Sequence, residues 1–143
     1  MNVIAHVLVT WVLVELFNLS EYEMILAVLF GVVIDLDHLV KVPIYVKENG
    51  LKVVRHWNWR TGLQEPVSLL WIIPISFFLQ TWVPIFFFLM HLSLDYLMSY
   101  EKRPFYPYNA FIINDKGNFT SDSLLGILVS VISLSALIFL VVW

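Results

Sequence analysis

Asp35, Asp37 and His38 interrupt the otherwise apolar stretch "GVVIDLDHLV" at residues 31–40, and "HLSLD" at 91–95 sets His91 and Asp95 in similar surroundings. Packing alone has no use for such groups, because an apolar environment penalises a charge that lacks a partner. Imidazole nitrogens and carboxylate oxygens together are the ligand set of divalent metals such as Zn²⁺, Mn²⁺ or Fe²⁺. The chain contains no cysteine, which excludes a thiolate site and a disulfide framework. His91 and Asp95 are four residues apart and share one face of a helix, and Asp35 and His38, three apart, do the same. In a regular helix Asp37 points away from that face, towards an outer shell or a second ion.

The elements that must position these residues follow from composition. Of 143 residues, 60% are hydrophobic and only 13% charged, and the mean hydropathy is +0.84. Ordinary globular domains are about a quarter charged. The expectation is therefore an all-α integral membrane bundle forming one domain over residues 1–143. It has about five transmembrane helices, near 3–17, 24–42, 66–80, 83–100 and 124–143, and a polar site on one side. Most of these runs fall short of the roughly 20 residues that a crossing needs, or reach that length only by including ionisable ends. Pro84 belongs near a helix start, Pro74 inside a helix, and Gln80–Trp82 in a very tight connection. The segment "NLSEYE" is a short acidic connector. The first run lacks the basic start and small-residue cleavage site of a signal peptide and is read as retained.

All eight Lys and Arg residues fall in two segments, Lys41 to Arg60 and Lys102 to Lys116. By the positive-inside rule both lie in the cytoplasm, giving a multi-pass cell-membrane protein with its N-terminus cytoplasmic and its C-terminus outside. Membrane lipids are the expected partners. A net charge of −3 gives no reason to expect nucleic acid, and the oligomeric state is left open.

Counting crossings places His6, Asp35, Asp37, His38, His56, Glu65, His91 and Asp95 on one side. His6, Asp35, His38, His91 and Asp95 are the candidate metal ligands, for one or two divalent ions, Zn²⁺ or Mn²⁺ in the first instance. Asp37, Glu65 and His56 are candidates for the catalytic base or for further ligands. Arg55, Arg60, Lys102 and Arg103 are candidates for holding an anionic substrate group. Blander readings exist for most of them. His6 alone suits a hydrogen-bonded core histidine, His91 with Asp95 a structural pair, His56 an interfacial belt, Glu65 a helix N-terminus, and the basic residues anionic lipid. The Asp35–Asp37–His38 cluster fits packing least.

Taken together, "IDLDHL" at 34–39, "HLSLD" at 91–95, "FYPY" at 105–108 and the early His6 resemble a family of LexA-regulated, YdjM-like membrane-bound proteins that are predicted metal-dependent hydrolases. The family carries D-x-D-H and H-L-x-x-D elements and an N-terminal T-H histidine, where this chain has Ala5 before His6. Its H-R-x-x-T-H-S stretch is not reproduced; the corresponding region reads "HWNWRTGLQEPVSLL", with the single histidine His56 and with Glu65 nine residues later. The spacing His91-x3-Asp95 with upstream Asp and His is also similar to zinc-dependent phospholipases C.

The resemblance implies a metal-dependent hydrolase at the cytoplasmic membrane face, acting on an ester or phosphoester, with a lipid as the plausible substrate. The alternatives are a non-enzymatic metal- or ion-binding membrane protein or transporter, and a degenerate relative serving as a scaffold.

Overall fold

The computed structural model describes residues 3–50, 52, 61–98, 101–102, 113–114 and 124–142. They form six α-helices: α1 (Val3–Leu16), α2 (Glu21–Gly31), α3 (Val42–Asn49), α4 (Leu69–Leu79), α5 (Val83–Met98) and α6 (Leu124–Val142). Three 3₁₀ segments join them, Val33–Lys41, Gly62–Gln64 and Pro66–Ser68. A two-residue antiparallel ladder pairs Glu101–Lys102 (β1) with Ile113–Asn114 (β2).

The expectation of membrane crossings is corrected here. Among the described residues no helix is long and apolar enough to cross a membrane. Four of the five proposed crossings are helices of 14, 11, 11 and 16 residues, against roughly 20 for a 30 Å hydrocarbon layer. In α6 the side chains are described only over residues 127–140. The multi-pass cell-membrane location, and the cytoplasmic and outer ends assigned to it, fall with the crossings.

The run read as one helix over 24–42 is also corrected. It begins earlier, because Ser20 caps α2 in a reciprocal box with Glu23, the S-x-x-E pattern inside "NLSEYE". It stops at Gly31 and continues as nine residues of 3₁₀ helix, well beyond the three or four usual for that form. Gln80 takes a left-handed conformation with φ 53° and closes α4, so that α5 starts three residues later at Val83. Pro74 lies inside α4.

Helix α5 packs on α2 and α4, while α1 packs on α2 and α6. One apolar cluster joins Val14, Leu26, Ala27, Val83 and Phe87, and a second joins Ile72, Phe88 and Leu92. Two buried stripes run out of this core at helical spacing and change character along the way. On α5 the stripe is Val83, Phe87, His91, Asp95; on α1 it is Val14, Thr10, His6. Both stripes are apolar at one end and polar at the other, and the polar ends meet.

At Gly31 α2 lies close against both α1 and α5. A Cβ there would lie 2.6 Å from the Thr10 hydroxyl oxygen and 3.4 Å from the Phe87 ring. Much apolar surface stays uncovered, with Phe77 and Phe78 on α4 exposed by 78% and 86%.

Candidate metal centre

The polar ends of the two stripes carry His6, His91 and Asp95, all fully buried, and the 3₁₀ segment adds Asp35 at 8% exposure. One ligand atom from each of His6, Asp35 and His91 lies within 4.8 Å of the other two, so this buried group could hold a metal ion. His6 Nε2 is 3.3 Å from Asp95 Oδ1, His91 Nε2 is 3.3 Å from Asp35 Oδ1, and His91 Nε2 is 3.7 Å from Asp95 Oδ2. A charge-assisted N–H···O bond is shorter, about 2.7–2.9 Å. Two ligands each 2.0–2.1 Å from a tetrahedral Zn²⁺ stand about 3.3–3.4 Å apart. The separations are thus those of neighbours around a cation.

Local folding aims the lone pairs. In an α-helix the Asp35 N–H would bond the Gly31 carbonyl; here it bonds Val32 O at 3.0 Å instead. The switch to 3₁₀ winding therefore releases the Gly31 carbonyl, which accepts from His91 Nδ1 at 3.0 Å. A proton on Nδ1 leaves the lone pair on Nε2, the atom that faces Asp35 and Asp95, which is how a second hydrogen bond fixes a ligating tautomer. Neither nitrogen of His6 has a hydrogen-bond partner, nor has Asp35 Oδ2. The two imidazoles are 4.4 Å apart, centroid to centroid. Burial, and next the Asp95 carboxylate, push the Asp35 carboxyl up from 3.8 to about 6, with His6 and His38 pulling the other way.

Beside this group lies a second polar set. Asp37 Oδ1 accepts from His38 Nδ1 at 2.7 Å, and Asp37 Oδ2 accepts from the Thr61 hydroxyl. Gln64, fully buried, directs Nε2 to Asp35 Oδ1 at 2.9 Å and to Asp37 Oδ1 at 3.0 Å, with His38 Nδ1 at 3.1 Å. Both carboxylates can only accept, so it is the amide nitrogen that faces them. His38 Nε2 is buried and has no hydrogen-bond partner.

The structure therefore brings three of the five candidate ligands, His6, Asp35 and His91, into one 4.8 Å group, sets Asp95 against both histidines, and leaves His38 beside them outside that group. Asp37 is engaged in orienting His38. Glu65 is buried and accepts from the Tyr96 hydroxyl at 3.0 Å. His56, Arg55, Arg60 and Arg103 lie outside the described residues, and Lys102 is described only as part of β1. Sequence reasoning missed Gln64, Thr61, Tyr96 and Gly31. The only available signals were that Gln64 adjoins Glu65 and that Tyr96 adjoins Asp95.

Comparison with protein families, with curated proteins and with solved structures finds no match to this chain.

Proposed function

We propose that the chain is a metal-dependent hydrolase of an ester or phosphoester. The observation that carries this reading is the pair of 3.3 Å N···O separations inside a largely enclosed His6–Asp35–His91–Asp95 set. A divalent ion there, Zn²⁺ or Mn²⁺ by ligand type, would supply hydroxide at neutral pH, since such ions lower the pKa of bound water from 15.7 to about 7. His6, Asp35, His91 and Asp95 would hold the ion. Asp37 fixes the His38 ring through Nδ1, so Nε2 presents the lone pair of a general base, the base-plus-orienter arrangement of hydrolytic sites.

Leu36, Leu39, Val40 and Ile44 are all at least half exposed beside these residues, which favours a substrate with an apolar tail, such as a lipid ester or phosphoester. The test is metal analysis of the purified chain together with hydrolysis of a short-chain phosphoester. The reading requires that metal be found, and that His91→Ala and Asp95→Asn abolish both metal and turnover. A wild-type chain without bound metal refutes it.

The near-complete burial of the four ligand side chains favours a second reading, a structural ion, because structural sites are closed whereas catalytic ones keep an open position. Under that reading metal is bound, but no ester is turned over and removing metal unfolds the chain.

A further inference from the structure

The polar set beside the metal centre raises the question of how many cations these residues take. Three ligand-type atoms, Asp35 Oδ1, Asp37 Oδ1 and His38 Nδ1, converge on a single point at 2.9, 3.0 and 3.1 Å. Two carboxylate oxygens and an imidazole nitrogen are ligand types for a divalent cation; spread around the amide nitrogen they do not form a group within 4.8 Å, and an ion in its place would draw them in to about 2.0–2.2 Å. Asp35 would be its bridge to the first ion, as carboxylates are in sites with two metals about 3.5–4 Å apart. In this chain that point is occupied by Gln64 Nε2.

We infer that Gln64 restricts the centre to a single cation by placing its amide nitrogen where a second ion would sit. The inference rests on the metal-dependent reading above. An amide NH₂ suits the task because it offers two donor hydrogens and carries no charge. It satisfies one oxygen of Asp35 and one of Asp37 while accepting nothing from them.

The position is not an accident of a mobile surface side chain, since Gln64 is fully buried. Its own segment is anchored from both sides. Thr61 caps the Gly62–Gln64 turn through Leu63 N at 3.1 Å and also donates to Asp37. Ser68 donates to the Gly62 carbonyl at 3.2 Å.

The same arrangement assigns His38. With the shared position filled, His38 Nδ1 is engaged with Asp37 and His38 stands outside the His6–Asp35–His91 group, so on this reading it is left to proton transfer. Metal number and base availability are then two consequences of one residue. If Gln64 were an acidic or small residue, Asp35, Asp37 and His38 would be drawn into holding a second ion, and the base would be lost with it.

The experiment is metal stoichiometry of the full chain, titrated with Zn²⁺ by calorimetry and checked by elemental analysis, and with Mn²⁺ by electron paramagnetic resonance. The wild type takes one equivalent, and His38→Ala still takes one. Gln64→Glu, which removes the donor and adds a ligand, takes two, and its paired Mn²⁺ ions show spin coupling absent from the wild type.

Two equivalents in the wild type, or loss of the single ion in His38→Ala, overturns the inference; neither result depends on the Gln64 variant folding. A folded Gln64→Glu chain that binds only one equivalent overturns it as well. No bound ion in the wild type refutes instead the hydrolase reading on which it rests, so the two failures are told apart.

Discussion

Replacing Gly31 by alanine tests how the fold aims the centre. The added Cβ would stand 2.6 Å from the Thr10 hydroxyl oxygen, and turning the threonine gives no relief because its methyl carbon is already 3.4 Å away. Phe87, at 3.4 Å on the other side, blocks a sideways escape, so α1 and α2 must part by several tenths of an ångström. Overpacking of this kind costs about 1–3 kcal/mol. Against it stands the gain of alanine over glycine in a helix, about 0.5–1 kcal/mol. The net expectation is destabilisation by about 1–2 kcal/mol, or a fall in Tm of about 3–6 °C at roughly 3 °C per kcal/mol for a chain of this size.

Gly31 also carries the carbonyl that holds His91 Nδ1, so its shift lowers metal affinity by roughly 10–100-fold, the usual effect of losing an orienting partner. Thermal unfolding and metal titration of Gly31→Ala, Thr10→Ala and the double variant measure both effects. Thr10→Ala removes the clashing atoms, and the Thr10 hydroxyl has no hydrogen-bond partner to lose, so the double variant should recover most of the stability. A Gly31→Ala chain as stable as the wild type, or a double variant whose losses simply add, would refute the close-approach argument.

Further outcomes follow from other contacts in the fold. Metal must displace the proton from Asp35, whose carboxyl is pushed up to about 6, so apparent affinity falls about tenfold between pH 7 and pH 5 from this group alone. In the metal-free chain the sign is opposite: the folded state holds a proton that the unfolded state has released, so this contribution to stability is full below 3.8 and is lost as pH rises through about 6, and Asp35→Asn abolishes the dependence. Tyr96→Phe deprives the buried Glu65 carboxylate of a donor and destabilises by about 1.5–3 kcal/mol in denaturant unfolding, with metal stoichiometry unchanged. Ser20→Ala removes the α2 cap and lowers Tm by about 3 °C while leaving metal affinity untouched, since the cap is at the far end of α2 from Gly31.

What was legible in the sequence depended on distance along the chain. His91 and Asp95 share a face because a helix puts residues four apart on one side, and that holds whatever surrounds the helix. The helix boundaries at Leu79 and Val83 were readable from Gln80–Trp82 and Pro84 for the same local reason. The break after Gly31 was not, because nothing local marks it; the close approach of Thr10 and Phe87 that requires a glycine there is a tertiary contact. The 3₁₀ winding was not legible either: residues three apart such as Asp35 and His38 still share a face in it, but Asp37 stands roughly 120° from Asp35 rather than far across the helix. Gln64 was invisible because an uncharged amide draws attention only once its two carboxylate partners are seen beside it. The membrane expectation failed on a different ground. Hydrophobic composition shows that apolar groups favour leaving water, but not what covers them, and helices of 11 to 16 residues do not have the reach of a crossing.

The charge balance of the centre ties the raised Asp35 carboxyl to the metal. Two carboxylates, Asp35 and Asp95, and two imidazoles are enclosed together with almost no access to solvent. Fully ionised and without a cation, the two acids would face each other in a medium that screens them poorly. A proton is the smallest cation that relieves this, and the upward shift of Asp35, caused first by burial and then by Asp95, is the sign of that substitution. A divalent ion relieves it more completely, bringing the set of two carboxylates and two neutral imidazoles to zero net charge. The set outside is balanced in another way: Asp37 is held by His38, Thr61 and Gln64, three donors that solvate one carboxylate without a cation. Two neighbouring acidic positions on one 3₁₀ segment thus have opposite requirements, and Gln64, bonded to both, is the residue that separates them.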